Sequence, residues 1–311
     1  MGGKTKIQPA SRVGLAPLTA MAEQLLALLP GWQDTAPPAT PRRPPTLLAR
    51  DLEHLSHHDL DGMLTACIGD DVVAFGVAFV RSRHLMVPHL WVLPDYEDHG
   101  VVHSLFRRML LFGERAAVQD VSASVLGGPT RQSIAFRFGL RPRFPVYRLV
   151  LRTEDAVRAG DLLASALPGT EITATAVSRR AWTGDPERLD RLARGLVRPM
   201  DHEYWAAERE LRIATIRAGK RIAAYAYGGG GQAGPVVASS AESALAGLGW
   251  ALRFAPAEGL EHVEALVPAG FEAGIEALLD AGARCGAAGE WMSRAPVTGL
   301  DRCVLSGVTL L

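Results

Sequence analysis

The chain has 311 residues, 48% of them hydrophobic, and its 33 lysines and arginines are balanced by 33 aspartates and glutamates. That length fits two domains of about 150 residues, and the balanced charge excludes a global electrostatic pull toward nucleic acid or an anionic membrane. Cys67, Cys285 and Cys303 lack CxxC spacing, which argues against a disulfide framework or a structural zinc site; no apolar run reaches membrane-spanning length, and residues 7–16 are too short and interrupted for a signal sequence. The expectation is a cytoplasmic protein with neither nucleic acid nor membrane as partner.

In chain order, residues 18–29 carry a helical pattern. Residues 31–45 are dense in proline and threonine and read as a long loop, either a linker or part of a substrate lid. A hairpin is expected over 62–68 and 72–80, around Gly69-Asp70-Asp71, and the segment from His84 to Val92 extends it. Pro94 to Gly100 forms a turn. The helix after it places Val102, Leu105, Phe106, Met109 and Leu110 at spacings of three and four, hence on one buried face. Residues 120–126 read as a strand ended by Gly127-Gly128-Pro129, and a short helix runs to Gly139.

Residues 153–169 read as a helix bridging two halves. The second half begins with a strand over 171–177, then helices over 186–196 and 202–211 and a hairpin of 212–218 and 221–227 around Gly219. Gly228 to Gly231 lacks the Lys-Ser/Thr of a phosphate-cradling loop and is read as a turn. A helix over 241–252, a strand over 262–267, a helix over 271–279 closed by Gly282, and strands over 291–294 and 304–310 complete the pattern. The same succession occurs in both halves, and Phe136 to Arg141 and Leu279 to Arg284 end corresponding helices, as in a duplicated architecture.

A strand feeding a glycine turn that opens onto a helix N-terminus gathers several unpaired backbone N–H groups, a setting suited to a phosphate or diphosphate. His89 and Trp91 share one face of their strand, and His89 is a candidate general base, with a satisfied structural histidine as the alternative. Ser124 and His202 are further acid–base candidates. Asp201 is expected to cap the helix that contains His202. His57-His58 with Asp59 and Asp61 lacks a spaced partner set, and no metal site is expected.

Two stretches carry a resemblance. Leu90-Trp91-Val92-Leu93-Pro94 leads to Glu97-Asp98-His99-Gly100-Val101-Val102, and Ser133-Ile134-Ala135-Phe136-Arg137-Phe138-Gly139-Leu140 lies downstream. They resemble the GNAT superfamily of acyl-CoA-dependent N-acyltransferases. There, a strand of the type Leu-x-Val-x-Pro precedes a turn reading Gln/Arg-x-x-Gly-x-Gly/Ala, and a later helix ends Tyr-x-x-x-Gly-Phe. The run Arg194 to His202, the strand from Arg221 and Gly234-Pro235-Val236-Val237-Ala238 resemble the degenerate second domain of tandem GNAT proteins.

The resemblance implies an α/β (α+β) fold of two tandem GNAT-like domains, each a mixed, largely antiparallel sheet flanked by helices. The expected division is 1–152, a linker helix over 153–170, and 171–311. It further implies transfer of an acetyl or other acyl group from acyl-CoA to the amine of a small molecule, with a homodimer as an open arrangement. Cofactor contacts would come from Leu90, Trp91, Val92, His99, Gly100, Val101, Val102 and Arg131. The sequence departs from the pattern at Glu97 and Val102, and Ala135 and Leu278 stand where the family's tyrosine general acid is expected. His89, Ser124 or His202 would then supply acid–base chemistry. The alternative is a GNAT-fold protein without CoA use, serving as a binding or scaffold protein or running CoA-independent acid–base chemistry.

Overall fold

The computed structural model describes residues 5–28, 47–125, 128–165, 175–176 and 185–310. The proline-rich stretch 31–45, Gly127 and most of the strand expected over 171–177 lie outside these residues. The chain divides into two compact units. Among the described residues, unit 1 holds those up to 143 together with 289–296, and unit 2 holds 144–288 and 297–310.

Unit 1 is built from β1 (Lys6–Pro9), α1 (Leu15–Ala27), α2 (Leu47–His58), β2 (Met63–Ile68), β3 (Asp71–Arg81), β4 (His84–Val92), α3 (Val101–Arg115), β5 (Asp120–Val125) and α4 (Gly128–Arg137). The first four strands are antiparallel neighbours in sequence order. β5 then joins β4 in parallel, which requires a crossover, and α3 supplies it. Glu290–Ser293, the end of β12 (Arg284–Ser293), pairs antiparallel with β5. The helical spacing of Leu105, Phe106 and Met109 buries them in one cluster with Ala74, Leu85 and Val87 of the sheet. His57 and His58 stand in the last turn of α2.

Unit 2 contains most of β6 (Arg141–Arg152), then α5 (Thr153–Ser165), β7 (Thr175–Ala176), α6 (Asp185–Arg194), α7 (Pro199–Ala207), β8 (Arg212–Ala218), β9 (Arg221–Gly229), β10 (Gln232–Ala238), α8 (Ala241–Phe254), β11 (His262–Pro268), α9 (Glu272–Asp280) and, after β12, β13 (Cys303–Val304). β7 to β10 are antiparallel neighbours in order. β11 lies parallel to β10, and β6 closes that side in antiparallel register from Val146↔Pro268 to Arg152↔His262. The strand order of unit 1 is thus repeated, with α8 in the place of α3.

The boundaries differ from those expected. Residues 144–152 and the 153–165 helix belong to unit 2, where β6 zips along β11 and Ala156 and Ala159 of α5 share a core with Leu248, Ala251 and Leu252 of α8. The segment 289–296 belongs to unit 1. Cross-strand pairing over a hundred residues of sequence decides this. Asp201 is also placed differently: α7 begins at Pro199 with Arg198 as its N-cap, so Asp201 sits within the first turn. There its charge favours the helix N-terminus without capping it.

Candidate active site in unit 1

β4 and β5 stay paired from His84↔Asp120 to Val87↔Ala123 and then part. Pro88 follows at once, and it has no N–H to offer a neighbouring strand. Beyond the parting lies a cleft, its mouth open to solvent. Val87, Pro88, Leu90 and Trp91 form one wall, Ala123, Ser124 and Val125 the other, and Phe106, Ile134 and Ala135 close it from the helices. Among these described lining residues, Ser124 carries the one hydroxyl.

The backbone of β4 is available along this cleft. Leu93 donates its N–H to the Val73 carbonyl at 3.0 Å, and Trp91 and Val92 lie opposite Phe75 and Ala74. In an antiparallel pair the bonding direction alternates, so the N–H groups of Leu90 and Val92 point away from β3, toward the side from which β5 has withdrawn. At the end of β4 a 3-10 turn, Pro94–His99, leads to Gly100. Gly100 has φ 68°, a left-handed conformation natural to glycine, and a Cβ there would meet nothing within 4 Å. Gly100 is the N-cap of α3 and has no side chain with which to cap it. The first-turn amides of α3, among them those of Val101 and Val102, have no acceptor within the helix.

Of the residues expected to hold a cofactor, Leu90 and Trp91 line the cleft, while Gly100, Val101 and Val102 form the uncapped helix start. The Val101 and Val102 side chains are buried in the core, so what they can offer a ligand is backbone. Val92 is buried in the same core and offers its amide likewise. The side chains of His99 and Arg131 lie outside the described residues.

The acid–base candidates separate. Ser124 stands on the cleft wall. His89 does not: it is buried, and its Nδ1 accepts a hydrogen bond from the Trp91 indole N–H at 3.1 Å. Burial drives its pKa down to about 3, so the ring is neutral with its proton on Nε2. It holds Trp91 in the wall and is not placed as a base toward the cleft. His202 lies in unit 2, buried, with Nδ1 2.8 Å from the Tyr227 hydroxyl and Nε2 3.0 Å from Asp190 Oδ2. Tyr225 donates to Asp190 Oδ1 at 2.5 Å, and Arg198 Nε reaches Asp190 Oδ2 at 3.3 Å. Burial alone would raise the Asp190 pKa, but Arg198 and His202 hold it at about 2. With both ring nitrogens committed, His202 is part of a charged structural network tying α6 and α7 to β9, which corrects its reading as a catalytic group.

Pro88, Phe106 and Ala123 were missed by sequence reasoning. A proline inside an otherwise regular strand pattern was the available signal, since such a residue marks a bulge or an edge. Among the described residues no helix is long and apolar enough to cross a membrane, and no three histidine, cysteine or acidic side chains gather as metal ligands would.

No protein-family model matches the chain, and no curated protein sequence matches it either. Solved structures do. A protein from Pyrococcus horikoshii named as an acetyltransferase superposes with a TM-score of 0.70 at 15% identity, covering 97% of this chain and 94% of its own. A GCN5-related N-acetyltransferase from Sphaerobacter thermophilus gives 0.57 at 14% identity, over 94% and 97% of the two chains. The fold is therefore that of the GCN5-related N-acetyltransferases. Its tandem form is matched by a tandem GNAT protein from the clavulanic acid biosynthesis pathway, with a TM-score of 0.50 at 15% identity over 94% of this chain and 99% of that one. This chain has the tandem GNAT fold.

Proposed function

We propose that unit 1 binds an acyl-CoA, in the simplest case acetyl-CoA, and transfers its acyl group to the amine of a small molecule in the cytoplasm. The observation that carries this reading is the cleft that opens where β4 parts from β5 at Pro88, and that shares its β4 wall with the strand leading to the uncapped α3 N-terminus. The residues suit the coenzyme's chemistry: apolar walls for the arm, free strand amides beside it, and helix amides with a favourable dipole for a diphosphate. Against these act the carboxylates of Asp95 and Glu97 in the preceding turn, which weaken affinity without closing the cleft.

A bound acyl-CoA supplies an activated thioester carbonyl for attack by an amine. The chain's own part is to position and to move one proton. The amides of Leu90 and Val92 would hold the arm and polarise the carbonyl oxygen. Ser124 Oγ, on the opposite wall, would pass a proton to the departing sulfur and be reprotonated, through water, by the proton that the attacking nitrogen releases as the amide forms; Ala135 leaves no tyrosine to do so. No histidine base is needed on the cleft wall if the amine arrives unprotonated.

Calorimetric titration with acetyl-CoA tests this reading. The wild-type chain should bind, and Ala123→Trp, which fills the cleft, should weaken binding about 100-fold or more, equal to roughly 3 kcal/mol. Absence of binding to the wild-type chain would favour a GNAT-fold binding protein without CoA use.

A further inference from the structure

We infer that the gap between β10 and β11 in unit 2 is a groove for an extended polypeptide strand, filled by the chain's own residues 303–306, so that each chain takes one coenzyme and takes it in unit 1. The stoichiometry rests on the function proposed above; the groove does not.

The parallel pair of unit 2 parts as that of unit 1 does. β10 and β11 meet at Gln232↔Glu264, and β10 then shifts register between Ala233 and Val236, around Pro235. In unit 1 the corresponding parting leaves a cleft. In unit 2, β13 enters it: Val304 and Cys303 pair antiparallel with Val236 and Val237 of β10. The next residue bridges to the other side, the Leu305 N–H donating to the Leu266 carbonyl of β11 at 2.8 Å. Three consecutive residues thus bond to both lips of the gap through backbone, which is how an added strand is recognised.

The surroundings are built for that occupant. Cys303, Val304, Leu305 and Ser306 are each at most 1% exposed. Gly234 has φ 134°, and a Cβ there would stand 2.8 Å from the Leu305 carbonyl oxygen, so the tail passes where no side chain fits. Arg209 Nη1 donates to the Ser306 carbonyl at 3.2 Å, Gln232 donates to the same oxygen, and Arg209 in turn holds Gln232. Upstream, Arg302 Nη1 donates to the Ser239 carbonyl at 3.0 Å. The helix start is closed as well. Ser240 caps α8 through its hydroxyl, which accepts from the Ser243 N–H at 3.3 Å, and Glu242 stands in the first turn. Both features that make unit 1 suitable for a coenzyme, the open gap and the uncapped helix, are therefore taken up in unit 2 by the chain itself.

Hydrogen exchange on the full chain, with and without saturating acetyl-CoA, separates the two parts of this inference. The amides of 304–306 should exchange about 100-fold or more slower than in an unstructured peptide, at a rate acetyl-CoA leaves unchanged, while amides within 90–102 slow on addition and calorimetry counts one coenzyme per chain. Two coenzymes per chain, or faster exchange at 304–306 on adding acetyl-CoA, would overturn the inference. Fast exchange at 304–306 in the free protein would overturn the groove itself. A chain that binds no acetyl-CoA yet keeps 304–306 slow would overturn the unit 1 reading and leave the groove standing.

Discussion

The two units set the same problem twice and solve it differently. In each, a parallel strand pair begins to zip and then diverges around a proline, Pro88 in unit 1 and Pro235 in unit 2. Unit 1 leaves the resulting space as an apolar cleft with the Ser124 hydroxyl on its wall and an uncapped helix at the end of the strand. Unit 2 inserts its own strand and caps its helix with Ser240. A gap in a sheet is thus not in itself a ligand site. It becomes one where the chain provides nothing better to satisfy the strand amides, since buried backbone groups must find partners.

The polar residues divide along the same line. Unit 2 buries a connected set, Asp190, Arg198, His202, Tyr225 and Tyr227, with every named hydrogen bond between 2.5 and 3.3 Å. Asp190→Ala should have the largest effect of any single substitution. It removes the carboxylate that faces the buried Arg198 charge and should cost roughly 3–5 kcal/mol of stability in denaturant unfolding. A loss under about 1 kcal/mol would mean the network does not hold α6 and α7 on the sheet. On the unit 1 side, Ser124→Ala should lower kcat about 10- to 100-fold with little change in KM for the acyl-CoA, because the hydroxyl is asked to act on the leaving sulfur and not to bind. An unchanged kcat would move the proton to water alone.

Much of this contrast was hidden in the sequence, and the reasons are physical. The alternation and turn residues between His84 and Gly100 made β4, the turn and α3 legible with nearly the observed bounds, because local periodicity decides local structure. The glycine at φ 68° was likewise legible as the hinge into α3. The route of the last strand was not. Residues 304–310 read as a strand, but only Cys303–Val304 and a bridge at Leu305 form one, and which strands they join depends on Val236, Val237 and Leu266, far away in sequence. The same holds for β6, whose partner β11 lies more than a hundred residues on. His89 and His202 looked catalytic since histidine titrates near neutrality. Only the positions of the Trp91 N–H and of Asp190 and Tyr227 reveal that Nδ1 of His89 and both ring nitrogens of His202 are already engaged.

Two smaller effects sharpen the account of unit 1. His89 has a folded-state pKa of about 3 against 6.5 for the ordinary side chain. Between those values the unfolded chain binds the proton and the folded chain does not, so stability should fall as pH drops from about 6.5 toward 3, by at most about 1.4 kcal/mol per pH unit. His89→Gln, which can still accept from Trp91 but does not titrate, should flatten this acid limb in thermal unfolding. An identical limb in the variant would place the titration elsewhere. Glu97→Gln removes one carboxylate from the turn before α3 and should tighten acetyl-CoA binding by a few-fold, corresponding to less than about 1 kcal/mol at a partly screened site. No change would mean the diphosphate lies beyond its reach.

The most direct measurement is a crystal structure of the full chain grown in saturating acetyl-CoA. The account predicts density for the coenzyme arm between β4 and β5, beside Leu90 and Val92, with its diphosphate at the amides following Gly100 and residues 303–306 still seated between β10 and β11. Density between β10 and β11 with that strand expelled, or a cleft in unit 1 with no coenzyme in it, would contradict it.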